Sequence, residues 1–548
     1  MQVARRGERS SAGAVLARRP GESSLKAVLA RRGERPAVLA VLALCLLYIA
    51  GDAVWLLLDS RVPDFDSGKH LLRALDYRDQ LASFDLLGPL QGDGVYQPFV
   101  HIVGAVAMLA FGEEVGAGVF AQDLLFIPAL AFGSYLVGST MSGSPFAGVL
   151  TALFSLGTPM VVSTFHVFLL DPPQTALVAL SVGALLKSDR LRETPWALLA
   201  GAAAAGGLMT KATTAIFLLG PVLVVLARGG WRRPRGLAAL AAPVLVLAVP
   251  WYLAHLDTTS ALTAGAAPSA SGVEGPSEAA GSPRPPAWTS KDLGWYVWNA
   301  LNMQLFVPLL AFFAAGLGWC TWRLAHRREP GRGGFEVLAG LVVSYGGVTA
   351  LSLHDFRYSL PMLIFIAAVA TTWIVHLPAT ARRIAAAALV VVCAVNVVGI
   401  NVGVGSRVRP AILPGAPIES ALGERQVTIY NPNGFPYGKP RDDGALDRLR
   451  QARRDGVQRF DVDPASANVF FLNPPGLEAL ARMAGIARPG VYDPGRLGPR
   501  DLFFVRRAPS ATDPRPCFRL EDGSSVYASL GSPLVPFEQF KLYCPGRG

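Results

Sequence analysis

Residues 61–101 read RVPDFDSGKHLLRALDYRDQLASFDLLGPLQGDGVYQPFVH, and the runs on either side, Ala37–Leu58 and Phe99–Phe111, are strongly apolar. The stretch holds Asp64, Asp66, Asp76, Asp79, Asp85 and Asp93. Charge beside hydrocarbon is costly, so carboxylates gathered in the first loop between two apolar runs need a reason.

The composition agrees with a membrane setting. Of 548 residues, 51% are hydrophobic and 16% charged, with a mean hydropathy of +0.38. A soluble domain carries about 25% charged residues, so a polytopic α-helical membrane protein is the expected class. The net charge of +11 comes from basic residues set between apolar runs. That is the positive-inside pattern and not the basic face of a nucleic-acid binder, so no nucleic acid is expected as a partner. Of the five cysteines, Cys45, Cys320 and Cys393 fall in apolar runs as packing residues. Cys517 and Cys544 lie in the polar C-terminal part, with no CxxC or histidine partner to suggest zinc.

Residues 1–35 are Arg-rich and repeat RRGER and AVLARR. With no apolar core they read as a disordered basic cytoplasmic tail and not as a cleavable signal peptide. Residues 36–404 form the transmembrane domain, with 59–98 as its first outer loop. Further apolar runs bring the candidates to roughly twelve, against an expected count of about 11–13 helices. Basic clusters at Lys187/Arg190/Arg192, Arg228/Arg232/Arg233/Arg235, Arg323/Arg327/Arg328/Arg332 and Arg382/Arg383 mark the cytoplasmic side. Asp171, Lys211, His255, Asp257, Asp355 and Arg357 then fall on the other side with the first loop. Twelve simple crossings would return the C-terminus to the cytoplasm. The run Phe146–Phe165, interrupted by Gly157-Thr158-Pro159, is therefore expected to fold as a re-entrant or broken pair. That arrangement puts Ser142 and Ser188 on opposite faces.

Thr258–Pro286 reads as a flexible outer loop. Residues 405–548 read as a small extracytoplasmic α/β or α+β domain, with strands at Val427–Tyr430, Val469–Leu472 and Leu502–Val505 and helices at Ala445–Arg454 and Leu477–Met483. Cys517 and Cys544 are a candidate disulfide there.

Four positions carry chemistry. If a helix starts near Ser67, Asp66 sits at its N-terminal end with His70 four residues on, placed to take a proton from an acceptor hydroxyl; the plain alternative is a helix cap. Lys211 is the only charge between Glu193 and Arg228, fit for a lipid-linked phosphate unless it snorkels to headgroups. Arg357, followed by Tyr358, suits bidentate phosphate contact unless Asp355 takes it. Asp171, before Pro172-Pro173, opens a helix and is either a site residue or a cap.

The order of these elements resembles the GT-C superfamily of polyprenyl-phosphate-sugar-dependent glycosyltransferases, in the branch of bacterial protein O-mannosyltransferase relatives and aminoarabinose transferases. The matching pieces are Asp66 with His70, Tyr96-Gln-Pro-Phe99 followed by His101, Asp171-Pro-Pro, Gly207-Leu-Met-Thr-Lys211, Pro250-Trp-Tyr-Leu253 and Arg357-Tyr-Ser-Leu-Pro361. They span Ala37 to Val404. The resemblance implies a first-loop acidic base and basic residues on the donor phosphate, with inversion at the anomeric carbon. The family's Asp-Glu is Asp64-Phe-Asp66 here, which leaves Asp64 and Asp66 both as candidates for the base, with Asp66 favoured by its spacing to His70. His70, Tyr96, His101, Asp171, Lys211, Arg357 and Tyr358 would bind substrate.

The implied partners are a polyprenyl-phosphate sugar, membrane lipid, and an extracytoplasmic glycan, lipid or protein acceptor. A divalent metal is compatible with the family, but the sequence offers no clear ligand set. The rival readings are a flippase or transporter of a lipid-linked sugar, for which inverted repeats are not apparent, and a catalytically silent homologue.

Overall fold

The computed structural model describes residues 34–92, 94–257, 290–351, 355–402 and shorter stretches at 412–413, 427–428, 437–440, 444–462, 474–486, 501–507, 518–519 and 525–530. The basic tail to residue 33, the Thr258–Pro286 loop, the Val469–Leu472 strand and the Cys517–Cys544 pairing lie outside the described residues.

The chain is a polytopic helical membrane protein. Helix α1 (Glu34–Leu58) has 25 residues, about 38 Å at 1.5 Å each, enough for a hydrocarbon layer of about 30 Å. It shows Leu39, Leu42, Leu46, Leu47, Val54 and Leu57 outward, as a lipid-facing helix should. The first loop then folds as α2 (Phe65–Ala82), followed by α3 (Phe99–Phe111). Among the described residues five helices are long and apolar enough to cross, or six counting one bent pair; several shorter apolar helices accompany them.

Helix α3 is one of the shorter apolar helices and lies against the first loop. Its 13 residues reach about 20 Å, short of a span, and it runs beside α2 along its length. His70 meets His101, Ala74 lies against Gly104, and Arg78 Nη1 is 2.6 Å from Glu113 Oε1 just past the end of α3. Both ends of α3 therefore stay in the first-loop layer.

The crossing that follows the loop is α4 (Val115–Ser142), which packs in the same direction as α7 (Asp171–Lys187). A Cβ on Gly133 would run into the Ala179–Leu180 backbone, and one on Gly183 into the Gly133 carbonyl. Small residues let these two backbones touch, the usual way membrane helices associate. Both helices end at one turn, where Gly331 meets Met141 and Gly333 meets Leu186. Ser142 and Ser188 consequently share one end of the bundle, contrary to the sequence expectation.

Phe146–Phe165 is broken as expected, into α5 (Pro145–Leu156) and α6 (Pro159–Phe165), bent by 61°. Proline at 159 ends the first helix, and Asn396 Nδ2 donates to the freed Gly157 carbonyl at 2.9 Å. The pair nonetheless traverses the bundle. Thr151 meets Thr371 at 2.7 Å toward one end, while His166 stacks on Trp55 at the first-loop end, 4.1 Å between rings.

The remaining helices are α8 (Thr194–Leu208), α9 (Thr214–Ala227), α10 (Pro234–Ala254), α11 (Ser290–Asn299), α12 (Phe306–Ala325), α13 (Gly334–Thr349), α14 (Leu363–Thr372) and α15 (Ala379–Val402). Helix α14 is buried on every side, which is why it is apolar all round. Three basic loops meet at the Ser142 end, where Arg228 is 2.6 Å from Glu329 and Arg332 is 2.8 Å from Asp189.

After the bundle come α16 (Ala445–Arg454) and α17 (Pro474–Met483), which match the expected helices. Strands β1 (Ile412–Leu413) and β2 (Val427–Thr428) pair antiparallel. Strands β3 (Arg459–Val462), β4 (Asp501–Arg507), β5 (Phe518–Arg519) and β6 (Ser525–Leu530) form a sheet ordered β3-β4-β6-β5, parallel only at β3–β4. The helices dock on the first loop. Arg482 bridges Asp76 at 2.6 Å and Asp79 at 2.8 Å, and a Cβ on Gly68 would strike the Gly476 backbone.

Candidate functional site

The first loop presents its carboxylates through the start of α2. The helix begins at Phe65, two residues before the expected start, so the N-cap is Asp64 and not Asp66. Asp64 is buried and accepts from the Ser67 N–H at 2.8 Å. Burial pushes its carboxyl up to about 6, with Asp66 adding to the rise and the Ser67 N–H, Arg357 and Arg61 opposing it.

Asp66, in the first turn, is 35% exposed at its side chain and meets Arg357 Nη2 at 2.5 Å through Oδ2. Arg357 also pairs with Asp355, whose Oδ1 accepts the Arg357 backbone N–H at 2.8 Å and whose Oδ2 lies 3.2 Å from Nη2. The Asp355 pairing read from the sequence is present, and Arg357 reaches the first loop as well. Burial opposes its charge, but Asp355, Asp171 and Asp66 outweigh that and hold the guanidinium charged.

The turn bearing Arg357 and Tyr358 is clamped from a π-helical turn at Ala300–Gln304. Asn299 Nδ2 donates to Phe356 O at 3.0 Å and to Ser359 Oγ at 3.1 Å. Gln304 Nε2 donates to the same two atoms at 3.1 and 2.9 Å. No signal in the sequence marks these two amides, because a single amide in a helical run has no pattern of its own.

Lys211 sits in the turn after α8, its ammonium 2.7 Å from Asp171 Oδ1 and 4.4 Å from the centre of the Tyr358 ring. It is held inside the protein, where snorkelling would have turned it to the headgroups. Asp171 is more than a cap, since it is buried and anchors that cation. Tyr358 bridges the two cations, following Arg357 in sequence and lying under Lys211.

His70 and His101 are buried and sit 3.1 Å apart, Nδ1 to Nε2. The hydrogen-bond network assigns their hydrogens. Gln97 O, 3.0 Å from His101 Nδ1, can only accept, so Nδ1 carries hydrogen and the Nε2 of a neutral His101 accepts from His70. Burial brings His70 down to about 3, Asp171 opposing and Lys211, Arg357 and Lys69 reinforcing, so the ring is uncharged at neutral pH. Tyr96 packs edge-on to His70, 4.8 Å between centroids. With both ring nitrogens engaged inside the protein, His101 supports His70 and does not itself form a surface for a ligand.

The structure thus brings together Asp64, Asp66, His70, Asp171, Lys211, Arg357 and Tyr358, with Tyr96 and His101 behind them. Among the described residues no three His, Cys, Asp or Glu side chains are grouped to hold a metal ion. Asp66 is committed to Arg357, and His70 to His101, so the site does not present a ligand set and no step here runs through a metal.

No protein-family model and no curated protein matches the chain. Among solved structures it superposes on ArnT from Cupriavidus metallidurans in the apo state, with a TM-score of 0.51 at 14% identity over 81% of this chain and 84% of that one. The undecaprenyl-phosphate-bound form gives 0.54 at 13% identity, over 91% of this chain and 99% of that one. The chain shares its fold with ArnT. The resemblance to GT-C membrane glycosyltransferases is therefore borne out at the level of fold. The likeness to ArnT extends beyond the Ala37–Val404 segment that carries the sequence motifs, because 91% of the chain is matched.

Proposed function

We propose that this chain is a membrane glycosyltransferase that moves one sugar from a polyprenyl-phosphate donor to an acceptor outside the cytoplasm. The observation that carries the reading is the meeting of Asp66 with Arg357 at 2.5 Å, beside a Lys211–Tyr358 contact of 4.4 Å. One carboxylate and two cations from distant parts of the chain converge at the end of the bundle away from the basic loops.

In the proposed step the acceptor oxygen attacks the anomeric carbon while its proton passes to Asp66. The bond from that carbon to the phosphate oxygen breaks, and the charge left on the phosphate is met by Lys211 and Arg357. Stabilising charge where it develops is usually the largest catalytic contribution. Asp66 suits the base better than Asp64 because it is open to solvent, whereas Asp64 is buried and spent as a cap. The ArnT structure bound to undecaprenyl phosphate supports a lipid-phosphate donor. By the positive-inside rule the Arg228/Arg332 end faces the cytoplasm, which puts the site and the C-terminal segment outside.

The test supplies the purified chain in lipid nanodiscs with radiolabelled polyprenyl-phosphate sugars and a cell-envelope acceptor fraction. Transfer of label that Asp66→Asn abolishes, with donor binding retained, supports the reading. Transbilayer movement of the donor that Asp66→Asn leaves intact would replace it with a flippase.

A further inference from the structure

A second polar cluster lies apart from the first-loop site, between α1, α4 and the end of α6. Its members are Asp52 and Tyr48 on α1, Gln122 and Asp123 on α4, and His166 after α6, all buried. Asp52 lies in the first apolar run and Asp123 in another, and the reaction proposed above uses neither.

Hydrogen positions can be counted. His166 Nδ1 is 2.6 Å from Tyr437 O, a carbonyl that only accepts, so this nitrogen carries hydrogen. The other ring nitrogen, Nε2, faces Asp52 Oδ1 at 3.4 Å. At that distance the two atoms make no hydrogen bond, and among the described residues Nε2 has no other partner; a neutral ring beside an ionised carboxylate would set two acceptors face to face, which one added hydrogen would relieve. Asp123 is 0% exposed, and neither of its oxygens has a hydrogen-bond partner. Asp52 is near enough to act on it electrostatically, and the Tyr48 hydroxyl is near enough to both to feel their charge. Gln122 turns its amide to Val167 O at 3.2 Å, leaving its own oxygen without a partner. Helix α6 also buries Ser163 Oγ, which like the Asp123 oxygens has no hydrogen-bond partner among the described residues.

Charge counting separates the candidate occupants. With one hydrogen between them, Asp52 and His166 are neutral as a pair wherever it sits, leaving Asp123 as one uncompensated negative charge in a low-dielectric layer. A buried ionisable group in that position neutralises itself. One proton suffices, and it supplies the donor that the surrounding oxygens lack. A resident metal is disfavoured because no three acidic, His or Cys side chains are grouped as ligands among the described residues.

We propose that Asp52, Asp123 and His166 form a proton-binding site inside the membrane layer, holding one proton shared between Asp52 and His166 and a second on Asp123. The site underlies a strap from the C-terminal part of the chain. Three successive carbonyls, those of Tyr437, Gly438 and Lys439, each face a donor: His166 Nδ1 at 2.6 Å, Trp55 Nε1 at 2.6 Å and Arg61 Nη2 at 2.5 Å.

The experiment is infrared difference spectroscopy on the full chain in lipid nanodiscs at neutral pH, wild type minus Asp123→Asn, in sodium and in choline buffers. A protonated-carboxyl band, shifted in heavy water and absent from the variant, is expected. The variant should melt within a few degrees of the wild type, since a neutral amide mimics a protonated carboxyl. Absence of that band, or a sodium-dependent rise in melting temperature that Asp123→Asn abolishes, overturns the proposal; the latter would make the occupant a cation. A variant that fails to fold also overturns it, because a site already neutral tolerates a neutral isostere. None of these readouts depends on sugar transfer.

Discussion

Arg357 lies 2.5 Å from Asp66 although 291 residues of sequence separate them. The contact fastens the first loop to the turn before α14, and in the proposed reaction its guanidinium meets the leaving phosphate. Arg357→Lys should retain the positive charge but lose the fork that spans Asp66 and Asp355. Sugar transfer is expected to fall about 100-fold, the scale of losing one preorganised donor, with melting temperature little changed. Transfer by the lysine variant at the wild-type rate would remove Arg357 from the phosphate site.

Asp64 and Asp66 separate by their surroundings. Asp64→Asn keeps an N-cap oxygen for the Ser67 N–H and should keep most of the activity, whereas Asp66→Asn should lose about 100–10,000-fold, the range of a positioned general base. Steady-state turnover of the two variants at saturating donor decides between them. Equal losses would mean that the pair acts as a unit.

The raised carboxyl of Asp64 has a sign that a melt can read. Its folded-state value near 6 exceeds its ordinary 3.8, so the native state binds the proton more tightly than the unfolded chain. Its contribution to stability is full below about 3.8 and is lost as the pH rises through about 6. The difference is at most about 3 kcal/mol, at 1.36 kcal/mol per unit. Asp64→Asn should flatten the stability difference between pH 4 and pH 7, chiefly by stabilising the protein at pH 7. Parallel curves for the two proteins would contradict that cause.

Much of the site was legible because charge in an apolar run is exceptional. Lys211 and Arg357 stand out for that reason, and Asp52 and Asp123 were open to the same reading. The partners were not legible. Asp171 and Lys211 are brought together by helix packing, with Gly207 set against Thr214 and Gly133 against Ala179, and close approaches of that kind leave no periodic trace. Helix length was no clearer a signal: α3 has 13 residues, α9 has 14 and α13 has 16, all under the roughly 20 a simple span needs, and hydropathy does not separate them.

Asp171 and Lys211 form a pair whose two halves can be separated. Lys211→Met takes the nearest cation from the buried Asp171 carboxylate and leaves only the more distant Arg357; it should cost about 1–3 kcal/mol, less than the loss of a fully buried pair. Adding Asp171→Asn removes that charge and should restore most of the stability. Activity should stay lost in both proteins, because the cation is gone in each. Melting and transfer measured on both variants separate the roles, and recovery of transfer in the double variant would make the pair purely structural.

The placement of α3 makes a prediction about sidedness. Gln91 and Phe111 flank the first-loop layer, while Ser142 and Arg192 stand at the basic end. Single cysteines at these four positions, in a chain with Cys517 and Cys544 replaced by serine and with Cys45, Cys320 and Cys393 buried, should label in two groups under an impermeant thiol reagent. Gln91→Cys and Phe111→Cys should react in intact cells, and Ser142→Cys and Arg192→Cys only after the membrane is opened. If α3 crossed, Phe111→Cys would be protected in intact cells and Ser142→Cys would be exposed. Since 13 residues cannot span about 30 Å of hydrocarbon without thinning it, the first pattern is expected.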